Sequence, residues 1–205
     1  MSLQVAHGAT LPGNDGVRGI VGPNAVLQLN APLRAAGGDP LLEDVFRQAE
    51  LLQYLATPPV VMVPQEQARR LFGAVREVLG PETGDDVLRE AGKGTAAYVM
   101  ANRIPVAIRS LLRLLPPRPS ATLLLAAIER HAWTFAGSGR CSVHRVGPTA
   151  TLEIEHNPLA TPGCAWHEGV LEHLFRQLVS NKTDLRHDDC EARGGECCRF
   201  ELSIP

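Results

Sequence analysis

RCSVHRVGPTATLEIEH, residues 140–156, is where the chain changes its period. Upstream, apolar residues recur every three or four positions. Here Ala150, Leu152, Ile154 and His156 alternate with polar residues and share one face, while Glu153 and Glu155 share the other. Successive side chains of a strand point to opposite faces, so the alternation reads as a half-buried sheet. Gly147-Pro148 divides the stretch into two strands, 140–146 and 149–156. Downstream, 185–204 reads as a second hairpin around Gly194-Gly195. Its last strand sets Cys198, Phe200, Leu202 and Ile204 against Cys197, Arg199, Glu201 and Ser203. Between the hairpins, Cys164–Ser180 has helical spacing, with Trp166, Val170, Leu174 and Leu178 on one stripe and Glu168, Glu172 and Arg176 opposite.

Working back from this sheet, the spacing predicts a series of helices. One covers Leu41–Leu55 after Pro40 and is stopped by Thr57-Pro58-Pro59. The next opens at Pro64, with the stripe Ala68, Leu71, Phe72, Val75, Val78 and Leu79. A third runs from Asp85 to Asn102, and its Gly92 and Gly94 mark close packing, since glycine weakens a helix interior. Ile104–Leu115 and a segment from Ser120 to Ala136 complete the set. Residues 1–40, rich in Gly, Pro and Asn, read as an irregular arm with a short apolar strand or turn near Val26–Leu29. The fold class is therefore α+β, with N-terminal helices packed on a small antiparallel sheet and a single domain over 41–205.

The composition narrows the function classes. A net charge of −2, with Lys and Arg dispersed, gives no basic stripe for a nucleic acid. No apolar run reaches the length of a membrane span, and Arg109 and Arg113 interrupt the best candidate. The first residues carry neither a basic start nor an apolar core, so no signal peptide is expected. The expected location is cytoplasmic, with peripheral membrane contact left open.

The cysteines carry the sharpest signal. There are 5, an odd number, and none precedes Cys141. Cys164, His187, Cys190 and Cys198 offer the thiolate and imidazole donors that tetrahedral zinc prefers. Cys190 and Cys198 flank the Gly194-Gly195 turn, which brings them together. Cys164 opens a helix, where the dipole favours a thiolate. Cys197 and Cys198 point opposite ways in a strand, and Cys198 lies on the apolar face. His187 stands three residues before Cys190, an odd offset that converges only if the strand is bent or bulged. Asp188, at an even offset, competes for the fourth place. Two other readings stand beside the metal: ordinary buried thiols, or a disulfide from Cys190 to Cys197 or Cys198.

CAWHEGVLEHLF (164–175) followed by HDDCEARGGECCRFEL (187–202) resembles the 4-vinyl-reductase domain family, named after a reductase of bacteriochlorophyll synthesis and also used as the sensor domain of aromatic-responsive bacterial activators. In those sensors three Cys and one Glu hold a structural zinc beside a buried pocket for phenol-like ligands. The resemblance places the three cysteines on Cys164, Cys190 and Cys198 and the Glu position on His187, and sets the module at roughly 120–205. IVGPNAVLQL (20–29), EAGKGTAAYVMANRIP (90–105) and IERHAWTF (128–135) extend the likeness to the photosynthetic branch. It implies a magnesium porphyrin ligand, a divinyl protochlorophyllide or chlorophyllide, together with structural zinc, a homodimer, and contact with other enzymes of that synthesis or with the photosynthetic membrane.

Reduction of a vinyl group needs a hydride donor and a place to hold it. No G-x-G-x-x-G follows a strand, and Gly92-Lys93-Gly94-Thr95 lacks the form of a phosphate loop. The chain thus reads as a carrier or accessory protein for the porphyrin intermediate, aiding 8-vinyl reduction. The alternatives are the reductase itself and a sensor or regulatory subunit. Ligand pockets combine aromatics with sparse polar groups, so the expected ligand-binding residues are His131, Trp133, Phe135, Trp166 and His167.

Overall fold

The computed structural model describes residues 19–205. The elements run β1 (Ile20–Val21), α1 (Asn24–Leu27), α2 (Asn30–Gln48), α3 (Gln53–Ala56), β2 (Val63–Pro64), α4 (Gln65–Leu79), α5 (Pro81–Asn102), α6 (Val106–Leu114), α7 (Pro117–Arg130), α8 (Trp133–Ala136), β3 (Arg140–Val146), β4 (Thr149–Glu155), α9 (Ala165–Leu178), β5 (Asp184–Asp189) and β6 (Cys198–Ser203). The class is α+β, as the periodicity predicts. None of the described helices is long and apolar enough to cross a membrane.

The two hairpins join into one antiparallel sheet in the order β3-β4-β6-β5. Its register sets Leu152 opposite Phe200 and Ile154 opposite Cys198. Those four side chains and Ala150 and Leu202 are buried, which accounts for the apolar half of each alternation. On the other face Glu153 accepts a 2.7 Å hydrogen bond from Arg199, its direct cross-strand partner.

Against this sheet and the helices before it lies α9, whose closest partner is α5. Glycines make the approach possible. A Cβ on Gly92 would collide with the Trp166 carbonyl and stand 2.9 Å from Val170 N. A Cβ on Gly169 would collide with the Arg89 carbonyl. Backbone therefore rests on backbone at this crossing, and Arg89 ties it further through a 3.0 Å ion pair with Glu168. Gly92 marks close packing as the sequence predicts; Gly169 was not singled out.

The N-terminal expectation needs correcting. Residues 1–18 lie outside the described residues, but 20–40 are not an irregular arm: they form β1, α1 and the first part of α2. The Gly-Pro signal that suggested irregularity is a break inside α2, where Gly37 and Gly38 leave helical geometry, Gly38 at φ 72°. The helix expected to reach Leu55 stops at Gln48. Glu50 takes φ 59°, and Leu51 N–H bonds to the Phe46 carbonyl at 2.8 Å, closing the end as a Schellman motif without glycine. The helix expected over 120–136 starts at Pro117 and breaks after Arg130, leaving α8 as a separate turn.

Candidate metal centre

Three segments carry the expected cysteines to one point. Cys164 caps the N-terminus of α9 in the left-handed region, φ 47° and ψ 37°, with its N–H bonded to Thr161 O at 2.7 Å. Cys190 follows β5 and caps a tight turn, Glu191–Arg193, which Gly194 closes at φ 88°. Cys198 opens β6. Glu191 holds the turn against the end of β4 by accepting from His156 N at 2.6 Å and Asn157 N at 2.7 Å.

The ligand atoms of Cys164, His187, Cys190 and Cys198 all lie within 4.8 Å of one another. Cys164 Sγ stands 3.7 Å from Cys190 Sγ and 3.3 Å from Cys198 Sγ. Zinc–thiolate bonds of about 2.3 Å at the tetrahedral angle need sulfurs about 3.8 Å apart, so small adjustments would suffice. All 5 cysteines are free thiols, which removes the disulfide reading.

His187 joins the cluster because β5 is irregular. The register slips between His187 and Asp189 opposite β6. One extra residue reverses the facing of the strand, so the odd offset becomes a convergent one. The imidazole stacks on Phe200 with centroids 4.7 Å apart and 15° between planes. Its Nε2 is buried without a hydrogen-bond partner, the arrangement expected of an atom awaiting a cation. Arg193 Nη2 lies 3.3 Å from the other nitrogen, Nδ1. A cation on Nε2 leaves the ring proton on Nδ1, so that contact and metal ligation exclude each other. Asp188 is not part of the cluster.

Electrostatics distinguish the thiols. Cys164 S–H donates to Cys198, which pulls the Cys198 thiol down to about 4 against the opposing effect of burial; His187 and the Asn157 side chain add to the lowering. The contact with Cys164, in which either sulfur can donate, brings Cys190 down to about 6. Cys164 is raised by its hydrogen bonds with Cys190 and Cys198 and by burial. Hydrogen bonding inside the cluster thus lowers two of its sulfurs and raises the third, whereas a bound zinc would take all three as thiolates. Cys197 is buried, lies outside the cluster and is raised by that burial. Asn157, Thr161 and Glu191 were not singled out from the sequence.

Around this centre the expected ligand-binding residues divide. Trp166 and His167 are buried, with rings 5.0 Å apart, and Phe135 meets His167 edge-on at 6.3 Å. Phe200, 6.1 Å from His167, connects them to His187. Burial lowers His167 to about 4. Its Nε2 lies 3.4 Å from the Phe135 carbonyl, while its Nδ1 and Trp166 Nε1 are buried without partners. His131, by contrast, is exposed at the end of α7, and Trp133 is half-buried on α8. These five residues line neither the hollow of about 340 Å³ beside α4 nor that of about 40 Å³ beside α7.

No protein-family model matches the chain. Among solved structures it is similar to an H-NOX protein mutant from K. algicida, with TM-score 0.61 and 13% identity, covering 90% of this chain and 97% of that one. An H-NOX protein from S. oneidensis in the Fe(II)NO state gives TM-score 0.55 and 13% identity, covering 90% and 99%. A third, described as "Modulating Heme Redox Potential Through Protein-Induced Porphyrin Distortion", gives TM-score 0.54 and 12% identity over 89% and 99%. At such identities the likeness establishes the fold. The curated relatives go further. The chain is 38% identical over 203 residues to the bacteriochlorophyll synthase 23 kDa chain of Cereibacter sphaeroides, covering 96% of this chain and 97% of that protein. It is 37% identical over 187 residues to the chain of the same name from Rhodobacter capsulatus, covering 89% and 86%. This chain belongs to the family of bacteriochlorophyll synthase 23 kDa chains and is a protein of bacteriochlorophyll biosynthesis.

Proposed function

We propose that the protein binds a magnesium porphyrin intermediate, a divinyl protochlorophyllide or chlorophyllide, and acts as its carrier or as an accessory chain that aids 8-vinyl reduction. The observation that carries this reading is the conjunction of family and fold. The curated relatives are named as a chain of a synthase, and one fold neighbour is described by a heme whose porphyrin the protein distorts. The thiol–imidazole cluster is then a structural zinc site held by Cys164, His187, Cys190 and Cys198. It fastens the terminal hairpin to α9, and the free His187 Nε2 supports that assignment. The resemblance to 4-vinyl-reductase sensor modules adds a homodimer to the reading.

The nearest residues for a pigment are Phe135, Trp166 and His167, with unpartnered nitrogens on the last two. Because they are packed together, a macrocycle there requires the surrounding elements to part. The test mixes purified full-length protein with divinyl protochlorophyllide and follows absorbance, then adds NADPH or reduced ferredoxin. A saturable spectral shift without turnover is expected. Turnover by the protein alone would transfer the role to the reductase reading, and the absence of any shift would end the pigment-binding one.

A further inference from the structure

Helix α6 presents its apolar side chains to solvent. Only Leu112 of its nine residues is buried. Val106 is 67% exposed, Ile108 46%, Leu111 46% and Leu114 84%. Single exposed apolar residues are ordinary, but four on one short helix are a patch, and such patches mark interaction sites.

The charges along the stretch of chain that carries the patch have one sign. From residue 91 to residue 128 the chain has no Asp or Glu, yet around α6 it carries Arg103, Arg109, Arg113 and Arg118; Lys93, ion-paired with Glu90, stands apart from them on α5. Elsewhere arginines pair with carboxylates, as Arg69 does with Glu66 and Arg199 with Glu153. Among the described residues, Arg103, Arg109, Arg113 and Arg118 make no such pair. The β3–β4 turn adds to the same side. Arg118 and Arg145 line one hollow of about 40 Å³, and Val146 beside them is 80% exposed.

We infer that α6, with the start of α7 and the β3–β4 turn, is a docking surface for an anionic lipid bilayer. An interfacial helix seats its apolar residues at the headgroup–acyl boundary while arginines meet lipid phosphates. Long arginine side chains reach the headgroups while their stems stay on apolar surface. A protein partner would supply carboxylates at fixed points; a row of basic residues without a single acid among them suits a diffuse negative plane better. The inference does not depend on the pigment reading.

The test is co-sedimentation of the full chain with vesicles of phosphatidylcholine alone or mixed with phosphatidylglycerol. The protein is expected to pellet with the anionic vesicles only, and less as salt is raised. Val106→Gln with Leu114→Gln should abolish binding while leaving the far-ultraviolet spectrum unchanged, since both side chains already face solvent. Arg103→Gln with Arg118→Gln should weaken partitioning roughly tenfold or more. Failure of the unaltered protein to bind anionic vesicles overturns the inference, as does binding that neither pair alters. Sedimentation velocity without vesicles supplies the remaining arm. A dimer that the Val106/Leu114 variant dissolves assigns this face to a second copy and also overturns it.

Discussion

Cys164 Sγ and Cys198 Sγ stand 3.3 Å apart although 34 residues separate them. One begins α9 and the other begins β6, so their contact closes the C-terminal hairpin onto the helix. Zinc at this point would make the closure a matter of coordination, and structural zinc contributes directly to folding free energy.

The first prediction follows from that closure. Cys164→Ser, Cys190→Ser and Cys198→Ser should each lose bound zinc in elemental analysis. Each should lower stability by more than about 4 kcal/mol, the range reserved for loss of a metal or comparable feature. Cys197→Ser should keep the metal and unfold at nearly the native midpoint, because Cys197 lies outside the cluster. Equal metal content in all four variants would remove the site.

His187 offers a sharper test of the donor set. His187→Ala should weaken zinc binding, whereas His187→Glu should retain much of it, since a carboxylate is a competent ligand and is what the resembling sensor modules use. Asp188→Ala should leave zinc content unchanged. If Asp188→Ala strips the metal and His187→Ala does not, the bulge in β5 does not face the imidazole inward.

The crossing of α5 and α9 predicts opposite outcomes for three glycines. Gly92→Ala and Gly169→Ala put a methyl group against backbone that cannot rotate away. Each should destabilise by about 3 kcal/mol or more, the upper range of overpacking. Gly94→Ala meets only the Gln28 amide tip, at 2.8 Å, which can swing aside. That change should be neutral or stabilising by up to about 1 kcal/mol through helix propensity. Chemical denaturation of the three variants checks the order.

Acid sensitivity should trace in part to His167. Burial holds it near 4, below the ordinary 6.5, so the unfolded chain takes up a proton first as pH falls. Its contribution to stability is therefore intact above pH 6.5, falls between 6.5 and 4, and levels off below. A shift of that size corresponds to roughly 3 kcal/mol. Denaturation midpoints of wild type and His167→Gln, compared over this interval, should diverge, the variant showing the shallower acid slope. Parallel slopes would mean that His167 titrates alike in both states.

The sheet was legible because strand period and burial coincide: Leu152, Ile154, Phe200 and Leu202 alternate in sequence and are buried in structure. The convergence of the cysteines was legible for the same reason, since a turn at Gly194 returns its flanks to each other. His187 was readable only as a conditional, because a bulge is one residue in a count and leaves no compositional trace. Helix ends were misread where the chain used unusual devices. Glu50 occupies a position that glycine usually takes, and Gly37-Gly38 kinks α2 instead of preventing it. His131 was misplaced because the helix through it was read as continuous to Ala136. The break at His131–Ala132 leaves His131 exposed and sets the half-buried Phe135 against His167.

Gly92 and Gly169 also decide which walls of the molecule can give. With main chain seated on main chain at those two points, α5 and α9 cannot be parted there by turning a side chain aside. Any broad, flat guest near Trp166 would have to be admitted from the opposite flank. There Phe135 rides on a helix of 4 residues tied to the strand β1 side by one backbone hydrogen bond, from Gly22 N–H to the Thr134 carbonyl at 2.8 Å.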